Sequence, residues 1–199
     1  MLSKRIKLII ILIGFAFFVV LFCYFVSKNL VQSGSIPLTA NTTTLHEQEK
    51  ANFGLPMRLK IPSINVDAAI EYVGLTPDGT MDVPKNPDNV AWFEFGPRPG
   101  ENGSAVIAGH YGWKNKKASV FDNLYKLRKG DKLYIEDDKG MIISFVVRES
   151  RKYDQKADAS DIFSSNDEKP HLNLITCEGV WDKVSKSYSQ RLVIFTDKE

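Results

Sequence analysis

Ser104-Ala105-Val106-Ile107-Ala108 is a continuous apolar run closed by Gly109 and His110. A short, unalternating stretch of this kind, bounded by glycines, reads as a strand buried in the middle of a sheet. Working outward, the flanking sequence has the same texture. Upstream, Met57 to Ile61 alternates, Pro62 interrupts, and Ile64 to Ala68 alternates again. Asp78-Gly79 marks a tight turn before Met81 to Val83, and Val90-Ala91-Trp92-Phe93 sits within a segment rich in proline and glycine. Downstream, Val120, Phe121, Leu124 and Leu127 carry a helical spacing that Gly130-Asp131 ends. Lys132 to Glu136, a turn at Asp137 to Gly140, and Met141 to Glu149 predict a hairpin. A polar loop follows to about Pro170, with a helical turn near Asp158 to Ser164. Leu172 to Cys177 and Arg191 to Thr196 complete the strands. About eight strands with one or two short helices predict a mainly β domain over residues 55–199, closed into a barrel.

The N-terminal quarter differs. Leu8 to Val26 contains no charged residue, and a helix of that length rises roughly 28 Å, close to the bilayer's hydrocarbon core of about 30 Å. Lys4, Arg5 and Lys7 precede it and only Lys28 follows closely. This asymmetry predicts a cytoplasmic tail at 1–7, a single-pass anchor at 8–26 and an extracellular remainder. A cleaved signal peptide would have a shorter apolar run, about 7–15 residues, ending in small residues. Ser27 to Gly54, with Ser33-Gly34-Ser35 and Thr39 to Thr44, reads as a stalk over 27–54. The chain's net charge is only +2. Its one basic cluster beyond the N-terminus, Lys114, Lys116 and Lys117, is too narrow to track phosphates, so nucleic acid is not an expected partner.

Of the two cysteines, Cys23 lies in the anchor, so the exported part has Cys177 alone and no disulfide framework. A lone thiol outside the cell is either packed away or chemically required. Buried packing is the commoner fate of a free cysteine, but Cys177 closes an apolar run and Glu178-Gly179 follows it, which predicts a position at a barrel rim. As a nucleophile it needs a base, because little thiolate exists at neutral pH for a thiol of pKa about 8.5. His46 falls in the stalk. His171 is six residues away on the same strand, roughly 20 Å at about 3.3 Å per residue. His110 also emerges at a strand end and can meet Cys177 if the two strands are neighbours. Arg191 opens the last strand after a loop of about 13 residues, which can bring a fixed positive charge to the same rim for an oxyanion.

Taken together, Ala108-Gly109-His110, Leu174-Ile175-Thr176-Cys177 and Arg191, in that order, resemble the signature of the sortases. Leu59-Lys60-Ile61-Pro62 and Gly103 to His110 extend the likeness over most of Pro56 to Phe195. Asn173 departs from the threonine usual at the start of the cysteine motif. The resemblance implies an eight-stranded barrel and a membrane-anchored cysteine transpeptidase. Cys177 would attack the backbone carbonyl after the threonine of a Leu-Pro-x-Thr-Gly-like sorting signal on a surface protein, forming a thioester. His110 would protonate the leaving amine, then deprotonate the amine of a cell-wall precursor or pilin. Arg191 would hold the oxyanion, and Thr176 would add a substrate hydrogen bond. That chemistry implies no cofactor. Some relatives bind calcium before the histidine strand, but Val90 to Gly103 offers only Glu94 and Glu101, so no metal is expected. A papain-like peptidase would place cysteine before histidine and at a helix start. A non-catalytic, membrane-tethered β-barrel that binds a surface protein accounts for anchor and fold, but leaves the placement of His110, Cys177 and Arg191 to coincidence.

Overall fold

The computed structural model describes residues 53–112 and 118–199. The expected tail, anchor, most of the stalk, His46 and the lysines at 114, 116 and 117 lie outside the described residues.

Eight strands close into a barrel: β1 (Pro56–Ile61), β2 (Val66–Val73), β3 (Val90–Phe93), β4 (Gly103–Gly109), β5 (Lys132–Asp137), β6 (Ile142–Asp154), β7 (Pro170–Asp182) and β8 (Ser187–Lys198). Their order around the barrel is β1-β2-β3-β4-β7-β8-β6-β5. The pairs β2–β3 and β4–β7 are parallel and the others antiparallel. Closure removes the free sheet edges that would otherwise template aggregation.

The long apolar runs of the sequence fall where both faces of the sheet are covered. Ala105, Ile107, Leu172, Leu174, Leu192 and Ile194 point into the main core, which Leu59, Ile61, Phe121, Leu133, Ile135 and Phe145 fill from other strands and loops. Val106, Val193 and Phe195 face the other way and pack with Ile162, against which Phe93, Tyr153 and Ile175 lean. Strands β4, β7 and β8 therefore lack the polar face that would have made them alternate. Phe53 joins the core and the Gly54 N–H bonds Asp137 Oδ2 at 2.8 Å, so the packing extends at least two residues before the expected boundary at residue 55.

Four expectations are corrected. The predicted helix at Val120 to Leu127 is instead a set of turns ending in a 3₁₀ turn at Leu124–Lys126. Phe121, Leu124 and Leu127 are its buried residues, a spacing of three that suits 3₁₀ geometry better than the α-helix. Met81 to Val83 forms only an isolated bridge, Leu75 with Met81, rather than a strand. The strand expected to stop at Glu149 runs on to Asp154. Most consequentially, β7 does not end at Cys177 and β8 does not begin at Arg191. The ladder continues outward through Trp181↔Tyr188 and Asp182↔Ser187, with a register shift between Glu178 and Trp181. Gly179, at φ 87, sits in that irregularity, so it marks a bulge and not a loop. Cys177 consequently lies within a strand, on the outer face of the sheet, rather than at a rim.

Candidate active site

Side chains alternate along a strand, so Cys177 shares its face with Ile175, and Arg191 shares its face with Val193. Both of those neighbours belong to the outer apolar cluster. Cys177 and Arg191 are directly paired across β7 and β8. On the other side, β4 and β7 run parallel with Ala108 opposite Ile175. Carrying that register two residues on sets His110 opposite Cys177. Cys177 and Arg191 are thus paired across adjacent strands, and the backbone of His110 leaves the end of β4 beside the strand that carries the thiol, with neighbouring strands about 5 Å apart. β4 and β7 are neighbours, as the expectation for His110 and Cys177 required, but Cys177 lies within its strand and not at its end.

Local packing fixes each member. Gly109, just before His110, lies against the Phe121 ring, and a Cβ there would stand 2.4 Å from Phe121 Cδ2. The His110 carbonyl accepts from Phe121 N at 3.1 Å. The ring nitrogen Nε2 lies 2.7 Å from the Pro84 carbonyl oxygen. A carbonyl can only accept, so Nε2 carries the hydrogen in this contact.

Cys177 is half-buried. Burial pushes its thiol above the ordinary value, and the Arg191 charge pulls it down without overcoming that effect. Cys177 is therefore a thiol, not a thiolate, at neutral pH. The Arg191 guanidinium is braced by its own hairpin, Nη1 donating to Tyr188 O at 3.1 Å and Gln190 O at 2.9 Å. Those contacts hold one edge of the fork through Nη1.

Two expected residues have other roles in the geometry. The Thr176 hydroxyl is buried on the barrel side of β7 and donates to Gly109 O at 2.8 Å. It ties the end of β4 to β7 beside the thiol, and that bond already uses its only hydrogen. His171 is buried between two carboxylates, with Nδ1 at 2.9 Å from Asp197 and Nε2 at 2.9 Å from Asp167. It is not brought to Cys177, as the strand distance required.

Sequence reasoning missed the aromatic group beside the thiol. Tyr188 meets Tyr111 edge to face at 5.4 Å between centroids and Trp181 at 5.1 Å. Burial, and then the neighbouring Tyr111 and Cys177, push the Tyr188 phenol upward. Its position in a polar run, Ser185-Lys186-Ser187-Tyr188-Ser189, gave no signal because the hairpin extension was itself not legible. Among the described residues no group of acidic, histidine and cysteine side chains has the arrangement of a metal site.

The model of the sortase domain matches residues 59–199. Among solved structures, sortase C-1 from Actinomyces oris is 26% identical, covers 72% of each chain and superposes with a TM-score of 0.57. Streptococcus agalactiae sortase C1, solved with MTSET, is also 26% identical over 72% of this chain and 66% of its own, with a TM-score of 0.56. Corynebacterium diphtheriae sortase A shares the fold at 22% identity and a TM-score of 0.56, over 75% of this chain and 63% of its own. No curated protein matches significantly by sequence. Types C and A both appear among these likenesses, so they do not single out a subclass. The family match spans well over half the chain, and on it this chain belongs to the sortase family of cysteine transpeptidases.

Proposed function

We propose that Cys177, His110 and Arg191 are the catalytic residues of a membrane-anchored transpeptidase that attaches surface proteins to the cell wall. What supports this reading is the direct pairing of Cys177 with Arg191 across β7 and β8, with the parallel register of β4 and β7, two residues earlier, bringing the chain at His110 alongside. His110 Nδ1 takes the thiol proton, the Cys177 sulfur bonds to the carbonyl carbon of the scissile peptide, and the oxyanion is met by Arg191. The same proton then passes from His110 to the departing amine nitrogen as the C–N bond breaks, leaving a thioester. An incoming primary amine gives its proton back to His110 as it displaces the sulfur, which restores thiol and imidazole. No step draws on a metal or cofactor.

The face beside the thiol is apolar at half-buried Ile175, whose neighbours Val106, Val193 and Phe195 are already covered beneath Ile162. It suits the leucine and proline of a Leu-Pro-x-Thr-Gly-like signal. The charge asymmetry around residues 8–26 supports attachment to the membrane with the barrel outside. The test uses the full chain with a quenched sorting-signal peptide and an amine acceptor, following cleavage, transfer and the mass of the trapped acyl-enzyme. A thioester on Cys177 and its loss in Cys177→Ala are expected. Turnover in that variant beyond a trace would refute the assignment.

A further inference from the structure

One peptide group lies between His110 and a carboxylate that the mechanism above does not use. Its carbonyl, that of Pro84, faces His110 Nε2 at 2.7 Å. Its N–H, that of Lys85, donates to Glu71 Oε2 at 2.8 Å. The two atoms belong to the same planar unit and point in opposite directions across it. Glu71 stands on β2, opposite Ala91 of β3, and grips the connection between those strands at two further points. Asn86 N donates to Oε1 at 3.2 Å and Asn89 Nδ2 to Oε1 at 2.9 Å. Turn bonds from Asn89 N to Asn86 O and from Asp88 N to Asn86 Oδ1 stiffen the same segment. A connection of this length has no need of such anchoring unless one of its groups must stay in place.

From this geometry we infer that Glu71 is a positioning residue for His110, acting through the Pro84–Lys85 peptide group. The reasoning rests on His110 being the acid–base of the proposed function. A carboxylate accepting from a peptide N–H polarises that peptide and strengthens its carbonyl as an acceptor. The Pro84 carbonyl then holds the hydrogen of His110 on Nε2, which makes Nδ1 the proton acceptor of the proposed function. It also favours the imidazolium that forms while Cys177 is a thiolate. The arrangement does for His110 what an acidic partner bonded directly to a catalytic histidine does in a hydrolase triad, with a peptide group interposed. Burial works against the charge of Glu71, yet its bonds from Lys85, Asn89 and Asn86, with the nearby Lys85 charge, hold the carboxyl below its ordinary range. It is therefore ionised wherever the enzyme works.

The test reads the ring itself. In the full chain labelled with ¹⁵N-histidine, above the pH range of histidine titration, His110 should show the Nε2–H tautomer, its signals identified by their loss in His110→Gln. Glu71→Gln keeps the side-chain shape but removes the charge and puts an NH₂ among N–H donors. It should bring in the Nδ1–H tautomer and lower kcat on the order of tenfold, a fraction of what general acid–base catalysis contributes, with KM for the sorting peptide unchanged. Asn89→Ala removes one contact to the same carboxylate and leaves Lys85 N–H bonded, so the tautomer should persist. An Nδ1–H tautomer in the wild-type chain overturns the inference whether or not the variants fold. So does a Glu71→Gln protein with wild-type ring signals and kcat. A fall in kcat that tracks the melting temperature in both variants, with the tautomer unmoved, assigns Glu71 to loop stability and overturns it too. Full turnover in His110→Ala would instead overturn the underlying catalytic reading.

Discussion

Arg191 has two duties in this structure, and substitution can separate them. Its Nη1 edge bonds two carbonyls of its own hairpin, while its charge bears on the Cys177 thiol. Arg191→Ala removes both bonds. At about 0.5–1.5 kcal/mol each, discounted because the side chain is partly exposed, this should cost about 1–2 kcal/mol. For a domain of this size the melting temperature should fall by roughly 4 °C. Loss of an oxyanion donor is larger, about 2.7–4 kcal/mol in the transition state, or 10²–10³ in rate. Arg191→Lys keeps the charge beside the thiol but lacks a planar fork that can hold the hairpin and a substrate oxygen together. It should recover most of the stability and remain at least about tenfold down in kcat. KM should move less than kcat, because in the proposed function ground-state binding would rest mostly on apolar contacts to the leucine and proline of the signal. Thermal melts beside peptide-cleavage kinetics on the three proteins measure all of this. If lysine restores rate and stability in parallel, Arg191 only braces the hairpin. Wild-type turnover in Arg191→Ala would remove it from the mechanism altogether.

The barrel was legible because strands covered on both faces leave unbroken apolar runs, as in Ala105 to Ala108 and Leu172 to Leu174. Where the sheet leaves the barrel, that signal stops. From Glu178 to Gln190 the residues of β7 and β8 are mostly exposed or half-exposed, so no periodicity separates a paired hairpin from a loop. A glycine there is equally at home in either. His110 and Cys177 could be proposed from sequence because residues 27–199 hold one cysteine and His171 stands too far along its strand, and Arg191 because it returns on the next strand. Glu71 and Pro84 could not. Their connection to His110 runs through a backbone carbonyl, which has no residue-type signature, across a parallel pairing of β2 and β3 that alternation does not reveal. Thr176 was expected to add a substrate hydrogen bond on the resemblance to the sortases alone. The two-residue period of a strand instead turns it to the barrel side.

Protease added to intact protoplasts should remove the barrel, and its protection would refute the external placement drawn from Lys4, Arg5 and Lys7. Cys177 should be alkylated slowly at neutral pH, the rate still climbing above the ordinary thiol value of about 8.5, because burial raises the thiol. A rate already flat at pH 7 would mean a resting thiolate. His171→Ala should leave kcat unchanged and weaken the fold, most visibly above the carboxylate range. The bond from His171 depresses the Asp167 carboxyl, so its contribution is present above the unfolded value of about 3.9 and disappears as pH falls through the lower folded value. A large loss of kcat in a well-folded His171→Ala protein would contradict the separation of that residue from the site. Thr176 offers the sharpest test of how the site is held. Its hydroxyl bonds Gly109 O, one residue from His110, so Thr176→Val keeps the shape and leaves a buried carbonyl without that donor, at about 1–3 kcal/mol. The strand end carrying His110 is then less firmly fixed against Cys177, and misplacement of an acid–base group slows chemistry more than it weakens binding. Thr176→Val should therefore lower both melting temperature and kcat with little change in KM, and Thr176→Ser, which retains the donor, should recover both. A Thr176→Val protein with normal stability and kcat but a raised KM would show that the hydroxyl serves the substrate after all.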